Sequence, residues 1–206
     1  MNDFAGYEAS SRAYRSRYQN QLGTGNQRPS PTILFIGCFD SRVIPELILG
    51  ITPGEMMAVR VPGGLIPGQG ETDFAIAAGI ELTLSRMPSI REVVVCGHTD
   101  CVMLNTLAAG VDAEQLPNLA RWIDMNDRIK ANLDDHVAHD RAILEKSVVQ
   151  SLKGLREIEL LRQKEIAGQL QVHGWIFELE TGQILALDES TGQFEVLLEP
   201  ATKFSA

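Results

Sequence analysis

The stretch GCFDSR, at residues 37–42, carries three side chains that are able to do chemistry. Residues two apart in an extended chain point the same way, so Cys38, Asp40 and Arg42 share one side. A thiolate, a carboxylate and a guanidinium then converge on one spot. The alternative is a buried cysteine beside a local Asp–Arg ion pair. A phosphatase-type or sulfur-transfer loop is not supported, because its arginine positions after the cysteine are apolar here.

A second stretch, GHTDC at residues 97–101, places His98 and Cys101 three residues apart. These two side chains can approach one metal ion together, and the start of a helix favours the thiolate of Cys101. Taken alone, the two residues have the alternative of plain packing in the interior. Together with Cys38 they offer two thiolates and an imidazole. Three protein ligands with an open fourth position are typical of a catalytic zinc site.

The remaining cysteine and histidines are predicted to be structural or solvated. Cys96 lies in a buried strand and points away from the second motif, so we interpret it as a core thiol. His136 and His139 lie on a charged helix and are interpreted as solvated, whereas His173 is interpreted as packed or hydrogen-bonded. The glycine-rich loop at residues 61–72 lacks the GxGxxG order of a nucleotide-binding loop. We expect it to let the backbone turn closely beside the site.

The elements that must position these residues alternate between strand and helix. The predicted buried strands lie at residues 32–36, 56–61 and 93–96, and the predicted helices lie at 43–49, 74–84 and 99–110, with a mostly helical stretch at 116–170. The tail at residues 171–188 returns to strand character, with a turn at Thr181 and Gly182. This order predicts an α/β fold with a mostly parallel central sheet flanked by helices. Both motifs follow strands, at the edge of the sheet where ligands bind.

The composition bounds the class of protein. The chain has 206 residues, of which 44% are hydrophobic and 22% charged, and its net charge is -9. This sign disfavours nucleic acid and anionic membrane surfaces as partners. No apolar run approaches the roughly 20 residues of a membrane span, and the N-terminus lacks the apolar core of a signal peptide. With three sparse cysteines, we predict a cytoplasmic protein without a disulfide framework.

The N-terminal segment differs from the rest of the chain. Its tyrosines recur at spacings that predict an amphipathic helix, and residues 20–31 are rich in glycine, proline and asparagine, which predicts a linker. We therefore expect an N-terminal helical arm and linker at residues 1–30. Residues 31–206 are expected to form a single α/β domain.

The paired motifs CxDSR and GHxxC resemble those of the β-class carbonic anhydrases. The similarity continues through PGE and AVR at residues 53–60 and into HGWIFELETGQILALD near the C-terminus, as in bacterial members. The resemblance implies a parallel sheet of four strands with an added C-terminal strand. It also implies a zinc enzyme that reversibly hydrates carbon dioxide to bicarbonate and a proton through a zinc-bound hydroxide. The family's minimal unit is a dimer whose N-terminal helices embrace the partner, so a homodimer or higher homo-oligomer is expected.

The resemblance assigns roles to the residues of the two motifs. Cys38, His98 and Cys101 would hold the zinc ion, and Asp40 and Arg42 would form a dyad beside it. Asp40 would accept a hydrogen bond from the bound water, while Arg42 would hold Asp40 away from the metal. If that pair breaks, Asp40 can become the fourth ligand and close the site. Activity that rises with pH is the expected outcome.

The chain departs from the family pattern around the site. Phe39 stands where serine is common, RVPGG at residues 60–64 replaces RNxAN or RNAGN, and Val102 and Met103 follow the last ligand in place of glycines. The expected substrate-pocket residues are Phe39, Gly63, Gly64 and Val102. These departures leave two alternatives open. One is hydrolysis of carbonyl sulfide or carbon disulfide on the same zinc site, and the other is a non-catalytic scaffold that binds zinc, bicarbonate or a protein partner, for instance within a carbon-fixing compartment.

Overall fold

The architecture comes from a computed structural model that describes residues 4–20, 30–68, 74–129 and 139–198. Three features predicted from the sequence lie outside the described residues. They are linker residues 21–29, residues 69–72 of the glycine-rich loop and the solvated His136 together with the side chain of His139.

Six strands form one mixed sheet within the described part of the chain. The strands are β1 (Ile33–Cys38), β2 (Met56–Val61), β3 (Glu92–His98), β4 (Gln171–Phe177), β5 (Ile184–Asp188) and β6 (Gln193–Leu198). Their order is β2-β1-β3-β4-β5-β6, with the first four parallel and the last two antiparallel. The expected α/β class and mostly parallel sheet are confirmed. The C-terminal extension contains two strands, because turns at Gly182 and Gly192, both with φ of 73°, reverse the chain twice.

Helices cover both faces of the sheet. They are α1 (Phe4–Tyr18), α2 (Pro45–Leu49), α3 (Phe74–Arg86), α4 (Val102–Ala109), α5 (Pro117–Asp124), α6 (His139–Arg156) and α7 (Glu159–Ile166). Proline at the first helical position starts α2 and α5, where a missing N–H costs nothing. The stretch predicted as mostly helical at 116–170 is thus divided among α5, α6 and α7. Among the described helices, none is long and apolar enough to cross a membrane.

The two central strands that carry the motifs are almost entirely buried. Side chains from one face of β1 and β3 join the main core with α3, α4 and α6, and those from the other face form a smaller cluster. Helix α6 lies close to the sheet because two strand positions lack side chains. A Cβ at Gly97 would lie 2.7 Å from Cδ1 of Leu144, and one at Gly174 would lie 2.8 Å from Cδ1 of Leu152. This tight packing holds α6 directly against β3 and β4.

Candidate metal centre

The three predicted ligands meet at the carboxyl ends of two neighbouring strands. Cys38 ends β1, His98 ends β3, and Cys101 is the residue that caps the start of α4. Because β1 and β3 pair in parallel, their ends lie at the same edge of the sheet. The ligand atoms all lie within 4.8 Å of one another, and the two sulfurs are 4.0 Å apart. All three residues are buried, and we call this set the floor of the site.

A sharp turn brings Cys101 back toward His98. Asp100, between them, has a φ of 52° and is the one residue other than glycine with positive φ among the described residues. The turn is anchored to the end of β4, since the N–H of Thr99 donates to the carbonyl of Phe177 at 3.1 Å. The hydroxyl of Thr99 also accepts the N–H of Leu179 at 3.0 Å. The left-handed backbone of Asp100 thus turns the chain so that Cys101 lies close to His98.

The imidazole of His98 is prepared to bind a metal ion. Its Nδ1 lies 2.8 Å from the carbonyl oxygen of Thr99, which can only accept a hydrogen bond, so Nδ1 carries the proton. The other nitrogen, Nε2, then presents its lone pair. This atom is buried and has no hydrogen-bond partner within the described part of the chain. A buried nitrogen acceptor left unpaired is costly, and a metal ion at this place would satisfy it.

The two cysteine sulfurs lie close enough for either thiol to donate a hydrogen bond to the other. This contact lowers the pKa of Cys38, and the backbone N–H of Asp40 also donates to the Cys38 sulfur at 3.4 Å. The same contact between the sulfurs, with burial, raises the pKa of Cys101. A divalent cation between them would replace the proton and favour both thiolates. Two sulfurs about 2.3 Å from a tetrahedral zinc ion lie about 3.8 Å apart, so the spacing fits zinc.

Asp40 and Arg42 form a dyad next to the floor. The guanidinium grips the carboxylate with a fork, in which Nε donates to Oδ1 at 3.0 Å and Nη2 donates to Oδ2 at 2.8 Å. These bonds hold the pKa of Asp40 well below its usual range, so its carboxylate is ionised. Its Oδ2 lies 4.0 Å from Nε2 of His98. The dyad therefore places a negatively charged hydrogen-bond acceptor beside the metal position.

Known proteins share this combination of fold and ligands. The sequence profile of the carbonic anhydrase family matches residues 33–184. The chain belongs to the β-carbonic anhydrase family. The carbonic anhydrase of Pseudomonas aeruginosa is 31% identical over 204 residues, covering 97% of this chain and 91% of that relative. The resemblance seen in the sequence motifs is thereby confirmed.

Solved structures support the same assignment. The β-carbonic anhydrase CcaA aligns over 97% of this chain and 91% of its own, with 25% identity and a TM-score of 0.83. Two tetrameric β-carbonic anhydrases from the ascomycete Sordaria macrospora share the fold, with 24% identity, a TM-score of 0.68, and coverage of 90% of this chain and 91% of theirs. Both solved structures therefore show that this chain has the β-carbonic anhydrase fold.

Two of the expected pocket residues of this β-carbonic anhydrase are buried close to the floor residues. Gly63 and Gly64 are buried, with φ of 72° and 67° in a short 3₁₀ turn after β2. A Cβ on Gly64 would lie 3.2 Å from both the backbone nitrogen of Cys38 and the carbonyl oxygen of Cys96. A Cβ on Gly63 would lie 3.1 Å from Cγ of Met103, which is buried. Gly64 therefore permits the close approach of this loop to the ligand strand, and Gly63 permits its close approach to α4.

The other two expected pocket residues are exposed. Phe39 has 59% and Val102 has 69% of its surface accessible. Each directly adjoins a ligand in the chain. With Arg42 and Asp100, whose side chains are 45% and 70% exposed, they make up what we call the rim of the site. The side chain of Val102, at the first position of α4, therefore lies on the surface of the single chain.

Sequence reasoning missed two residues that brace the site. Arg60 donates to three carbonyls of the loop after β1, from Nε to Cys38 at 3.1 Å and from Nη2 to Asp40 at 2.7 Å and Val43 at 2.6 Å. Asp100 accepts a hydrogen bond from Arg42 at 2.7 Å. Arg60 lies opposite Gly37 only through the pairing of β2 with β1, which the sequence does not show. No sequence pattern pointed to Asp100.

The interpretations of Cys96 and His173 are confirmed. Cys96 packs with Phe35 and Val94 in the smaller core cluster, and its thiol donates to the carbonyl of Gly97 at 3.3 Å. Burial raises the pKa of Cys96 to about 12, so it stays protonated. His173 is hydrogen-bonded, because its Nε2 lies 2.7 Å from a carboxylate oxygen of Glu92. Neither residue contributes to the floor.

Proposed function

We propose that this chain is a zinc-dependent carbonic anhydrase that reversibly hydrates carbon dioxide to bicarbonate and a proton. The observation that carries the proposal is the buried cluster of Cys38, His98 and Cys101, with an ionised Asp40 at its edge. Membership of the β-carbonic anhydrase family, over most of the chain, supports it.

The three floor residues would hold zinc with two thiolates and one neutral imidazole. Such a ligand set leaves a fourth position, as in other catalytic zinc sites. When bound, zinc supplies a Lewis acid that makes a water molecule nucleophilic near neutral pH. The two thiolates offset the charge of the ion, so this site acidifies water less than a site with three histidines does. Activity that rises with pH is the consequence.

Asp40 orients the attacking water. Its carboxylate has no proton to donate at neutral pH, so it accepts a hydrogen bond from the water and directs a lone pair toward the carbon of carbon dioxide. Arg42 occupies both carboxylate oxygens through its fork, which fixes the direction of Asp40. Addition of water to carbon dioxide then yields bicarbonate and one proton. Both Asp40 and Arg42 act without changing their own charge.

We further propose that residues 1–30 form an arm on a single domain at 31–206, and that the arm packs on a second copy in a homodimer. Helix α1 is exposed along nearly all of its length, with Phe4 85% and Tyr7 58% accessible. A helix of 15 residues is marginal in water without packing. The exposed side chains of Phe39 and Phe74 offer further apolar surface on which a second copy can pack.

The proposed setting is the cytoplasm, including a carbon-fixing compartment within it. The three cysteines of the chain are free, and two of them serve the metal site only while reduced. The net charge of -9 is consistent with a small-molecule substrate and no nucleic acid partner. Fractionation of cells followed by immunodetection tests the location, and sedimentation velocity tests the dimer.

The experiment that tests the activity is zinc analysis combined with stopped-flow measurement. Carbon dioxide hydration is measured at neutral and at mildly alkaline pH, with carbonyl sulfide as the comparison substrate and metal-free protein as the control. We expect about one zinc per chain, carbon dioxide turnover that rises with pH, and no turnover by metal-free protein. Full zinc occupancy with preferential turnover of carbonyl sulfide would support the alternative hydrolase, and no turnover of either substrate would support the scaffold.

A further inference from the structure

Arg42 bridges the two loops that carry the metal ligands. One side of its guanidinium grips Asp40 on the loop after β1, and the other side grips Asp100 on the loop after β3. Its Nη1 donates to the Asp100 carboxylate at 2.7 Å, and its Nη2 donates to the Asp100 carbonyl at 2.9 Å. Asp100 therefore offers two acceptors to one guanidinium. The dyad is in fact the inner part of a chain of three charged residues.

The backbone of Asp100 is held in a conformation that serves this contact. Its φ of 52° is in the left-handed region, which costs about 1 kcal/mol for most residues and less for aspartate and asparagine. In that conformation the carbonyl and the side chain of Asp100 both reach Arg42. The conformation is also the turn that returns Cys101 to the floor, so one residue closes the ligand loop and anchors the guanidinium.

The position of Asp40 makes this anchor important. Its Oδ2 is 4.0 Å from Nε2 of His98, so a small rotation would take it into the metal position. The Arg42 fork opposes that rotation, and its strength depends on where the guanidinium itself is held. Arg42 is 45% exposed, and without the Asp100 carboxylate its remaining anchors among these contacts are Asp40 and the carbonyl of Asp100. The carbonyl alone then opposes movement of Arg42 together with Asp40.

We propose that Asp100 is a positioning residue that, through Arg42, keeps Asp40 out of the metal's fourth coordination position. In this role the carboxylate of Asp100 acts through Arg42 and not on a substrate. It sets how readily a small ligand, rather than Asp40, occupies the open position. This inference rests on the proposed zinc site and concerns the balance between its open and closed forms.

The test is azide binding to the full-length chain loaded with cobalt in place of zinc. Azide probes the open position directly, and the absorption of cobalt reports whether a small anion or a protein carboxylate occupies it. The variant Asp100→Asn keeps the tolerance for positive φ and removes the charge. Asp112→Asn is the matched control, because Asp112 is exposed and accepts a hydrogen bond from the neighbouring Glu114 backbone.

We expect Asp100→Asn to weaken azide binding about fivefold, the size of one exposed ion pair, while Asp112→Asn leaves it unchanged. The cobalt spectrum of Asp100→Asn without azide should shift toward that of a site closed by a carboxylate. The sign of the change is diagnostic. Removing a negative charge near an anion site tightens azide binding if Asp100 acts only through its charge, so unchanged or tighter binding would overturn the proposal.

A second variant and a separate measurement of turnover keep the result interpretable. Asp100→Gly also accepts positive φ and lacks the carboxylate, so it should reproduce the loss if Asp100→Asn folds poorly. Azide binding does not require turnover. A wild-type chain that binds cobalt and azide but does not hydrate carbon dioxide would refute the proposed function and leave the comparison of variants valid. Failure of the wild-type chain to bind cobalt would overturn both.

Discussion

The floor and the rim of the metal site are built in opposite ways. Cys38, His98 and Cys101 have exposed fractions of 4%, 1% and 3%. Backbone hydrogen bonds hold the side chains of Cys38 and His98 in place. The rim is exposed. It consists of charged side chains that pair with each other and of apolar side chains that face solvent. A buried polar group must find a partner, whereas an exposed one has water. We therefore expect the floor to determine the chemistry and the rim to adjust it.

This contrast explains how the chain departs from the family pattern and keeps the ligand set. The departures at Phe39 and Val102 fall on the rim, where a change of side chain leaves the packing of the core intact. In the loop after β2, by contrast, the departures include Gly64, where an added Cβ would lie 3.2 Å from the backbone of the ligand strand. Substitutions at these two kinds of position are expected to differ sharply in effect.

The largest effect is expected from removing a floor ligand. Cys38→Ala takes away one of two thiolates, so zinc content should fall close to zero and carbon dioxide hydration to the buffer rate. Metal analysis and stopped-flow assays measure both. Cys96→Ala is the matched control, because Cys96 is equally buried but lies in the other core cluster. Retention of zinc by Cys38→Ala, or its loss from Cys96→Ala, would contradict the assignment of the floor.

The next largest effect is expected at the junction of floor and rim. Asp40→Asn keeps the shape of the side chain and removes the ionised acceptor, so kcat should fall about 100-fold at unchanged zinc content. Because Arg42 lowers the pKa of Asp40, the carboxylate stays ionised until the pH falls below that lowered pKa. The loss should therefore be the same factor from about pH 5 to pH 9. A loss confined to the alkaline side would show that Asp40 itself titrates within this range, because a protonated Asp40 on the acid side already lacks the ionised acceptor.

A third prediction concerns the glycine loop beneath the floor. Gly64→Ala adds both positive-φ strain and contacts at 3.2 Å with the ligand strand, so the free energy of unfolding should fall by about 3 kcal/mol. Gly182→Ala has the same kind of strain, with φ of 73° and nothing within 4 Å of the new Cβ, so about 1 kcal/mol is expected. Chemical denaturation compares them. Equal losses would mean that the loop does not press on the ligand strand.

The smallest effect is expected on the rim itself. Phe39→Ser restores the residue common in the family, and because Phe39 is 59% exposed we expect kcat/KM to fall by less than about tenfold, the smallest value for one apolar group inside a pocket, with zinc content unaltered. Leu82→Ser, also exposed but on α3, serves as the control. A change in zinc content on Phe39→Ser would show that the rim and the floor are not separate.

The sequence predicted that Cys38, His98 and Cys101 would lie together, because their positions follow from local patterns. Each ligand follows a buried apolar run or precedes a helix, and parallel strands bring their carboxyl ends to one edge of the sheet. The α/β class followed from the same alternation of strands and helices. The core role of Cys96 followed from its place in a buried strand, two residues before His98, and the structure places it in the smaller cluster.

The bracing residues were beyond sequence reasoning because they depend on register and on backbone conformation. Arg60 reaches the carbonyl of Cys38 only because β2 pairs with β1 in one particular register. Asp100 meets Arg42 only because its backbone is left-handed, which the sequence GHTDC does not show. The last strand, β6, was also missed, because it lies beyond the turn at Gly192 that extends the sheet. Periodicity likewise predicted helix over residues 116–170 without placing its breaks.

The most direct test of the floor is X-ray absorption spectroscopy at the zinc edge on the purified full-length protein. We expect two sulfur ligands at about 2.3 Å and one imidazole nitrogen at about 2.0 Å, with oxygen atoms as the remaining ligands. The same spectrum of Cys101→Ala should lose one sulfur. A zinc site with no sulfur ligands, or with one sulfur and several imidazoles, would contradict the assignment of Cys38, His98 and Cys101 as the metal-binding floor.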